Sequence, residues 1–242
     1  PLTRDFDPSI EQIEYHAKGK AFYLLANNGS RQSLYRLDVK TNKITQLDTK
    51  EDVVRGFGVA TNGNTFYYFG QSLNNSDRLY SLEPSGKSKL VWDISAENLR
   101  GVKFTPGKDF VYRTPDGVDI DGWYYLPPNF DPSKKYPMVV YYYGGTIPLD
   151  RVLETTYDLA MFAAQGYVAY SLNPRGTVGY GQSFAADHLN AWGTKTADDI
   201  IGAVKAFVAA HPFVDATKIG CTGASYGGFM TQYLQTRTDI FA

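Results

Sequence analysis

A predicted strand, a turn of very small residues and an apolar helix follow one another without a break near the end of the sequence. Lys218 to Thr222 is predicted to be a buried strand, and Gly223-Ala224-Ser225-Tyr226-Gly227-Gly228 follows it directly. A chain can fold back this sharply only where the residues flanking the turn have almost no side chain. Gly223 and Gly227 therefore predict a strained strand-to-helix turn with Ser225 at its tip.

Strands and helices alternate through the second half of the sequence. Pro137 to Tyr143 and Tyr167 to Leu172 are continuous apolar runs, as expected of strands covered on both faces. Apolar residues at helical spacing predict a helix from Leu153 to Ala164, and a later helix is predicted to begin with Thr196 as its cap. This alternation implies right-handed crossovers and a parallel sheet with helices on both faces. We therefore predict an α/β domain. In such a sheet, chemistry lies at the carboxyl ends of the strands.

The first hundred residues contain short alternating runs broken by Asn, Gly and Ser, which predict strands and turns. They also repeat. Gly19 to Leu24 corresponds to Gly63 to Tyr68, and Leu34 to Asp38 corresponds to Leu79 to Glu83. The offset of about 44 residues is typical of four-stranded propeller blades, although an unrelated β-sandwich is an alternative. We therefore predict two domains, with residues 1–105 forming a partial β-propeller of about two blades and residues 106–242 forming the α/β domain.

Composition and charge argue against several classes of partner and site. A formal net charge of -1 from intermixed acids and bases gives no basic face for nucleic acid. The longest apolar stretches are shorter than the roughly 20 residues of a membrane-spanning helix, so no membrane partner is expected. The single cysteine, Cys221, excludes an internal disulfide and a Cys-built zinc site, and we expect no metal and no cofactor. The start at Pro1 has no signal-peptide profile, so we expect a cut end and leave localisation undecided.

The turn at residues 223–228 makes Ser225 a candidate nucleophile. Strain at its tip would expose the hydroxyl above the sheet, and the positive end of the next helix favours negative charge on a substrate oxygen. The backbone N–H of Tyr226 would point at that oxygen. A second donor is expected from the turn after an earlier strand, where Tyr143 offers its hydroxyl or an N–H. The alternatives are a glycine-rich turn with an ordinary serine and a Tyr143 that only packs.

Five separated motifs together resemble the prolyl oligopeptidase family, and are most similar to its acylaminoacyl-peptidase and dipeptidyl-peptidase branches. They are Tyr143-Gly144-Gly145, Asn173 to Gly181, Ala191-Trp192-Gly193, Asp198-Asp199 and Gly223 to Thr231. The resemblance implies a serine peptidase of short peptides, in which a propeller restricts access to an α/β-hydrolase active site. It implies that Ser225 is the nucleophile, the Tyr226 N–H one oxyanion donor and Tyr143 the other. Arg175 is left open between contacting substrate and pairing with an acid.

The other members of a catalytic triad are not evident. In α/β-hydrolases the acid and the histidine follow the nucleophile, but only Asp239 and no histidine follow Ser225. His16, His188 and His211 precede it and are expected to be structural. A serine hydroxyl without a base is a weak nucleophile. We therefore expect an inactive fragment of a peptidase, whose missing remainder supplies acid and base. A peptide-binding pseudoenzyme and an esterase or lipase are the alternatives.

Overall fold

The computed structural model describes residues 2–60, 65–83, 85–143, 147–155 and 157–242 of the chain. Gly63 and Asn64 of the predicted repeat, and Gly144 and Gly145 of the predicted oxyanion turn, lie outside the described residues. The chain forms two compact units. Unit 1 comprises Pro1–Val102, Asp150–Glu154 and Gly179–Gly181, and unit 2 comprises Lys103–Leu149, Thr155–Val178 and Gln182–Ala242.

Unit 1 is built mainly of β-strands, as the alternating pattern predicts. Over its described residues the elements are β1 (Ser9–His16), β2 (Ala21–Asn28), β3 (Arg31–Asp38), β4 (Ile44–Gln46), β5 (Val53–Val59), β6 (Phe66–Ser72), β7 (Asn75–Leu82), β8 (Ser88–Trp92) and α1 (Ile94–Asn98). The strands β1 to β4 pair antiparallel in sequence order, and so do β5 to β8. One parallel bridge, between Gln32 and Val53, joins the two groups.

The two sequence repeats occupy equivalent places in these sheets. Tyr35 pairs with Leu24 between the second and third strands of the first repeat. Tyr80 pairs with Tyr68 between the second and third strands of the second repeat. The predicted equivalence of Tyr35 and Tyr80 is therefore confirmed.

A shared apolar core joins the two repeats, but only one face of the second repeat contributes to it. Tyr23 and Leu25 of β2 pack in one cluster with Phe66 and Tyr68 of β6. Successive side chains of a strand point to opposite faces of the sheet. Tyr67, the repeat equivalent of the buried Tyr23, is 41% exposed, and Phe69, the equivalent of Leu25, is exposed to the same extent. The second repeat thus presents to solvent the face that the first repeat buries.

Two segments from later in the chain belong to unit 1. In the first, Arg151 donates its backbone N–H to the carbonyl oxygen of Ser30 at 3.1 Å, and Leu153 donates to Ser72 at 2.9 Å. The second is Gly179–Gly181. The sequence-based division after residue 105 assigns both segments to the second domain, whereas their contacts lie in the first unit.

Unit 2 combines a mixed sheet with helices. Its described elements are β9 (Lys108–Asp109), β10 (Tyr112–Arg113), β11 (Asp119–Ile120), β12 (Gly122–Tyr125), β13 (Tyr136–Tyr141), α2 (Leu159–Ala164), β14 (Val168–Leu172), α3 (Gln182–Ala186), α4 (Thr194–Ala210), β15 (Val214–Thr222) and α5 (Tyr226–Gln235). Within the described residues the main sheet has the order β15-β13-β14-β12-β9, and β10 and β11 form a separate hairpin. β13 runs parallel to β14 and β15, as predicted, whereas β12 pairs antiparallel with β14 and β9.

The helix predicted from Leu153 begins later than its apolar spacing suggests. The carboxylate of Asp158 accepts from the backbone N–H of Met161 and caps α2, which starts at Leu159. Leu153 is buried, but in unit 1. The predicted helix began too early because apolar residues at helical spacing indicate which side chains are buried. The spacing does not indicate which unit of the protein buries them.

The predicted cap of α4 is also wrong. The helix begins at Thr194 after Gly193, whose φ of 83° is left-handed and favours glycine. Thr196 is buried within the helix, and its hydroxyl donates to the backbone oxygen of Arg175 at 3.2 Å. The preference of threonine for caps predicted a cap three residues too late, because here its hydroxyl finds an acceptor on another segment.

Candidate active site

Ser225 lies at the tip of the turn between β15 and α5. Its backbone has φ 52° and ψ -116°, which is unusual for a residue with a side chain, and its side chain is exposed. Strained backbone of this kind is maintained only where surrounding structure enforces it. The predicted strained turn is confirmed, and the catalytic role of Ser225 stays a prediction.

The end of β13 enforces this turn by close backbone packing. A Cβ atom on Gly227 would lie 2.6 Å from the carbonyl oxygen of Tyr142 and 2.8 Å from that of Tyr143. A Cβ atom on Gly223 would collide with the same Tyr142 oxygen and would lie 2.8 Å from the Cα of Gly227. Only glycine fits at either position. The structure therefore brings Tyr143 and the Ser225 turn together at the carboxyl ends of adjacent strands.

Tyr142 also locks helix α5 in place, a role that sequence reasoning missed. Its side chain is fully buried, and its hydroxyl lies 3.0 Å from the hydroxyl of Thr231. Thr231 in turn donates to the backbone oxygen of Gly227 at 2.8 Å. Burial raises the pKa of Tyr142 well above its ordinary value, so the phenol stays protonated. Three consecutive tyrosines at the end of an apolar strand gave no signal that one of them bonds to a helix.

The first turn of α5 leaves one backbone donor available. Gly227 donates to the oxygen of Ala224 at 2.7 Å, and Gly228 donates to that of Ser225 at 2.9 Å. Among the residues that the structure describes, no acceptor contacts the N–H of Tyr226. Free N–H groups at a helix N-terminus favour negative charge. This N–H belongs to the residue that follows Ser225, which is the position where an oxyanion donor is expected.

The described residues supply no hydrogen-bonded base for Ser225, since none of them bonds to its hydroxyl. His16 lies in β1, where its Nδ1 accepts from Gly19 at 3.1 Å. His211 lies at the end of α4 among aromatic rings, and its Nδ1 is 2.9 Å from the oxygen of Phe207. His188 packs against the ring of Tyr226.

Arg175 pairs with acids. Its guanidinium donates to both carboxylate oxygens of Asp199 at 2.6 to 3.1 Å, and to Asp116 at 2.6 Å. The Arg175 side chain is 8% exposed and that of Asp199 is 1% exposed. This ion pairing holds the pKa of Arg175 above its ordinary value. Arg175 therefore fixes the loop that follows β14 to helix α4.

Asn173 holds the backbone of Leu149. Its side-chain amide accepts from the backbone N–H of Leu149 at 2.8 Å and donates to the oxygen of Leu149 at 2.9 Å. These bonds satisfy polar groups of a buried amide, and together they fix the backbone of Leu149 to Asn173. Tyr143 itself is half-buried, and its role as a hydroxyl or N–H donor stays a prediction.

The described part of the chain shows neither a metal-binding cluster nor a membrane-spanning helix. There, no group of three or more His, Cys, Asp or Glu side chains could hold a metal ion. No helix in the same residues is long and apolar enough to cross a bilayer.

Comparisons with known proteins agree with this geometry. Residues 154–242 match the model of the prolyl oligopeptidase family. The chain is 30% identical over 241 residues to a dipeptidyl-peptidase 5 of Porphyromonas gingivalis, an alignment that covers 97% of this chain and 34% of that protein.

Solved structures share the fold. An acylaminoacyl peptidase from Pyrococcus horikoshii superposes with a TM-score of 0.87 at 24% identity, covering 99% of this chain and 37% of the other. An acylaminoacyl peptidase in complex with Z-Gly-Gly-Phe-chloromethyl ketone gives a TM-score of 0.86 at 25% identity with the same coverage. The chain thus spans about a third of the length of the relatives it matches.

Proposed function

We propose that this chain carries the nucleophile of a serine peptidase that hydrolyses short peptides through an acyl-enzyme on Ser225, since residues 154–242 match the model of the prolyl oligopeptidase family. The observation that carries the proposal is the geometry of the Ser225 turn. An exposed hydroxyl at a positive φ, between glycines packed on the end of β13, is the arrangement of a nucleophile elbow.

The proposed reaction follows from the groups around the turn. The Ser225 oxygen attacks the peptide carbonyl carbon as a base removes its proton, and negative charge develops on the carbonyl oxygen. The Tyr226 N–H donates to that oxygen, with a second donor from the segment that begins at Tyr143. Collapse of the intermediate breaks the C–N bond, and the amine leaves with the proton. Water then hydrolyses the ester on Ser225.

We further propose that the acid and the base come from the remainder of a longer parent chain. The absence of a hydrogen-bonded partner for the Ser225 hydroxyl among the described residues supports this. So does the coverage of about a third of the relatives. Loss of the base costs about a million-fold in kcat in a well-studied protease. We therefore expect the 242-residue chain alone to be inactive.

We propose that residues 1–105 form a partial β-propeller. Residues 106–242 then form the first part of an α/β-hydrolase domain. Two four-stranded repeats that share one apolar cluster support the first part. The exposed Tyr67 and Phe69 support further repeats, since their equivalents in the first repeat are buried against a neighbour. The sheet order of unit 2 supports the second part.

The test compares the whole protein with its Ser225→Ala variant and with the 242-residue chain. We expect the whole protein to react with a fluorophosphonate and to cleave dipeptidyl or acylaminoacyl chromogenic substrates. The variant and the short chain should do neither. Stoichiometric labelling of Ser225 in the short chain, with full-length contaminant excluded by mass, would show that His16, His188 or His211 reaches the serine. Hydrolysis by the Ser225→Ala variant would refute the nucleophile.

A further inference from the structure

His188 lies close to both the loop after β14 and the first residue of α5. The centroid of its ring lies 4.8 Å from that of the Tyr226 ring in an edge-on arrangement. A Cβ atom on Gly176 would lie 3.1 Å from both Cβ and Nδ1 of His188. Gly176 also has φ 103°, so the loop is fixed there in a conformation that favours glycine. His188 thus packs against both the Gly176 turn and Tyr226, the residue after Ser225.

The far end of the Tyr226 side chain is held by the same segment. Its phenol oxygen accepts from the backbone N–H of Gly193 at 2.9 Å, and Trp192 packs edge-on against its ring. The backbone N–H proposed to stabilise the oxyanion belongs to this same Tyr226. A ring held at its edge and at its hydroxyl restricts rotation of the backbone that carries it.

The Gly176 turn, which His188 contacts, is itself anchored to helix α4. Arg175, next to Gly176, makes its buried ion pair with Asp199 of α4. Thr196, also in α4, donates to the backbone oxygen of Arg175. The Gly176 turn is therefore tied to helix α4, which begins directly after the Gly193 that bonds Tyr226.

We propose that His188 is a positioning residue for the oxyanion donor, and this rests on the proposed function of Ser225. It acts by shape, through Tyr226, and transfers no proton. The Nδ1 atom of His188 is buried and has no hydrogen-bond partner among the described residues, so ring volume is what the site uses. Shape alone predicts that another aromatic ring can replace it.

The test uses three variants of the whole protein. His188→Ala removes the ring, His188→Phe keeps a ring without nitrogen, and Leu189→Ala is the control because Leu189 is adjacent but 72% exposed. For His188→Ala we expect kcat to fall about 10- to 100-fold with KM unchanged, since small misplacements of catalytic groups cost rates of this size. His188→Phe should retain most of kcat, and Leu189→Ala should match the unaltered protein.

Amide hydrogen exchange gives a second readout that needs no activity. The N–H groups of Gly227 and Gly228 bond within the Ser225 turn, and His188→Ala should speed their exchange about tenfold while exchange in β13 and β14 stays unchanged. Unchanged exchange at the turn would overturn the proposal, and so would faster exchange with normal kcat. If His188→Phe has normal exchange but the kcat of His188→Ala, the nitrogens matter and positioning by shape is wrong. If the unaltered protein hydrolyses no peptide, the proposed function fails, and exchange alone decides whether His188 holds the turn.

Discussion

A Cβ atom on Gly227 would lie 2.6 Å from the backbone oxygen of Tyr142. The oxygen belongs to packed backbone and the Cβ atom would be bonded directly to the backbone, so neither can move aside as the end of a flexible side chain would. We expect Gly227→Ala to destabilise the protein by about 1–3 kcal/mol and to displace Ser225. Gly220→Ala in β15 is the matched control, since nothing lies within 4 Å of its added Cβ. Urea unfolding of both variants tests this, and equal midpoints would contradict it.

Two neighbouring acids of α4 should differ sharply in their contribution to stability. Asp199 is 1% exposed and bonds the buried Arg175, whereas Asp198 is 60% exposed and pairs with Arg237 at 3.0 Å. Asp199→Asn removes the buried carboxylate and leaves the buried guanidinium paired only with the exposed Asp116, so we expect a loss of up to about 3–5 kcal/mol. Asp198→Asn should cost less than about 1 kcal/mol. Thermal unfolding of the two variants decides, and similar losses would show that burial of the pair is unimportant.

The environment of His211 should make unit 2 less stable in mild acid. Burial lowers the pKa of His211 below its ordinary value, and its ring packs 4.1 Å from that of Phe207. The unfolded chain therefore binds a proton more readily than the folded one, so this contribution is complete above about pH 6.5 and declines as pH falls. His211→Phe should flatten that decline. Melting temperatures measured between pH 8 and pH 5 test it, and identical slopes for variant and parent would refute it.

The exposed face of the second repeat predicts a difference between the 242-residue chain and the whole protein. Tyr23→Ala removes a buried ring and should cost about 3–5 kcal/mol in either form. Tyr67→Ala, at the equivalent exposed position, should cost less than about 1 kcal/mol in the 242-residue chain. If a further repeat covers this face, its cost in the whole protein should exceed about 2 kcal/mol. A small cost in both forms would argue against a covering repeat.

Much of the fold was predictable because its signals are local. The turn at Ser225 was found from Gly223 and Gly227, since the need for a missing side chain is recorded within five residues. The paired positions of Tyr35 and Tyr80 followed from a repeat in the sequence. Continuous apolar runs located the parallel strands, because a strand covered on both faces buries successive side chains along a few consecutive residues.

The contacts that organise the candidate site were decided by tertiary structure. The sequence did not decide whether Arg175 contacts substrate or pairs with an acid. Only the fold brings its guanidinium to Asp199 and Asp116. Nothing in the sequence indicated that His188 lies against Tyr226. Nor did it indicate that Leu153, which fits the helical spacing, belongs to the other unit. These partners are separated by tens of residues, and a periodic pattern reports that a side chain is buried without reporting what buries it. The sequence therefore determined the turn and its serine, whereas packing between distant segments determined what holds them in place.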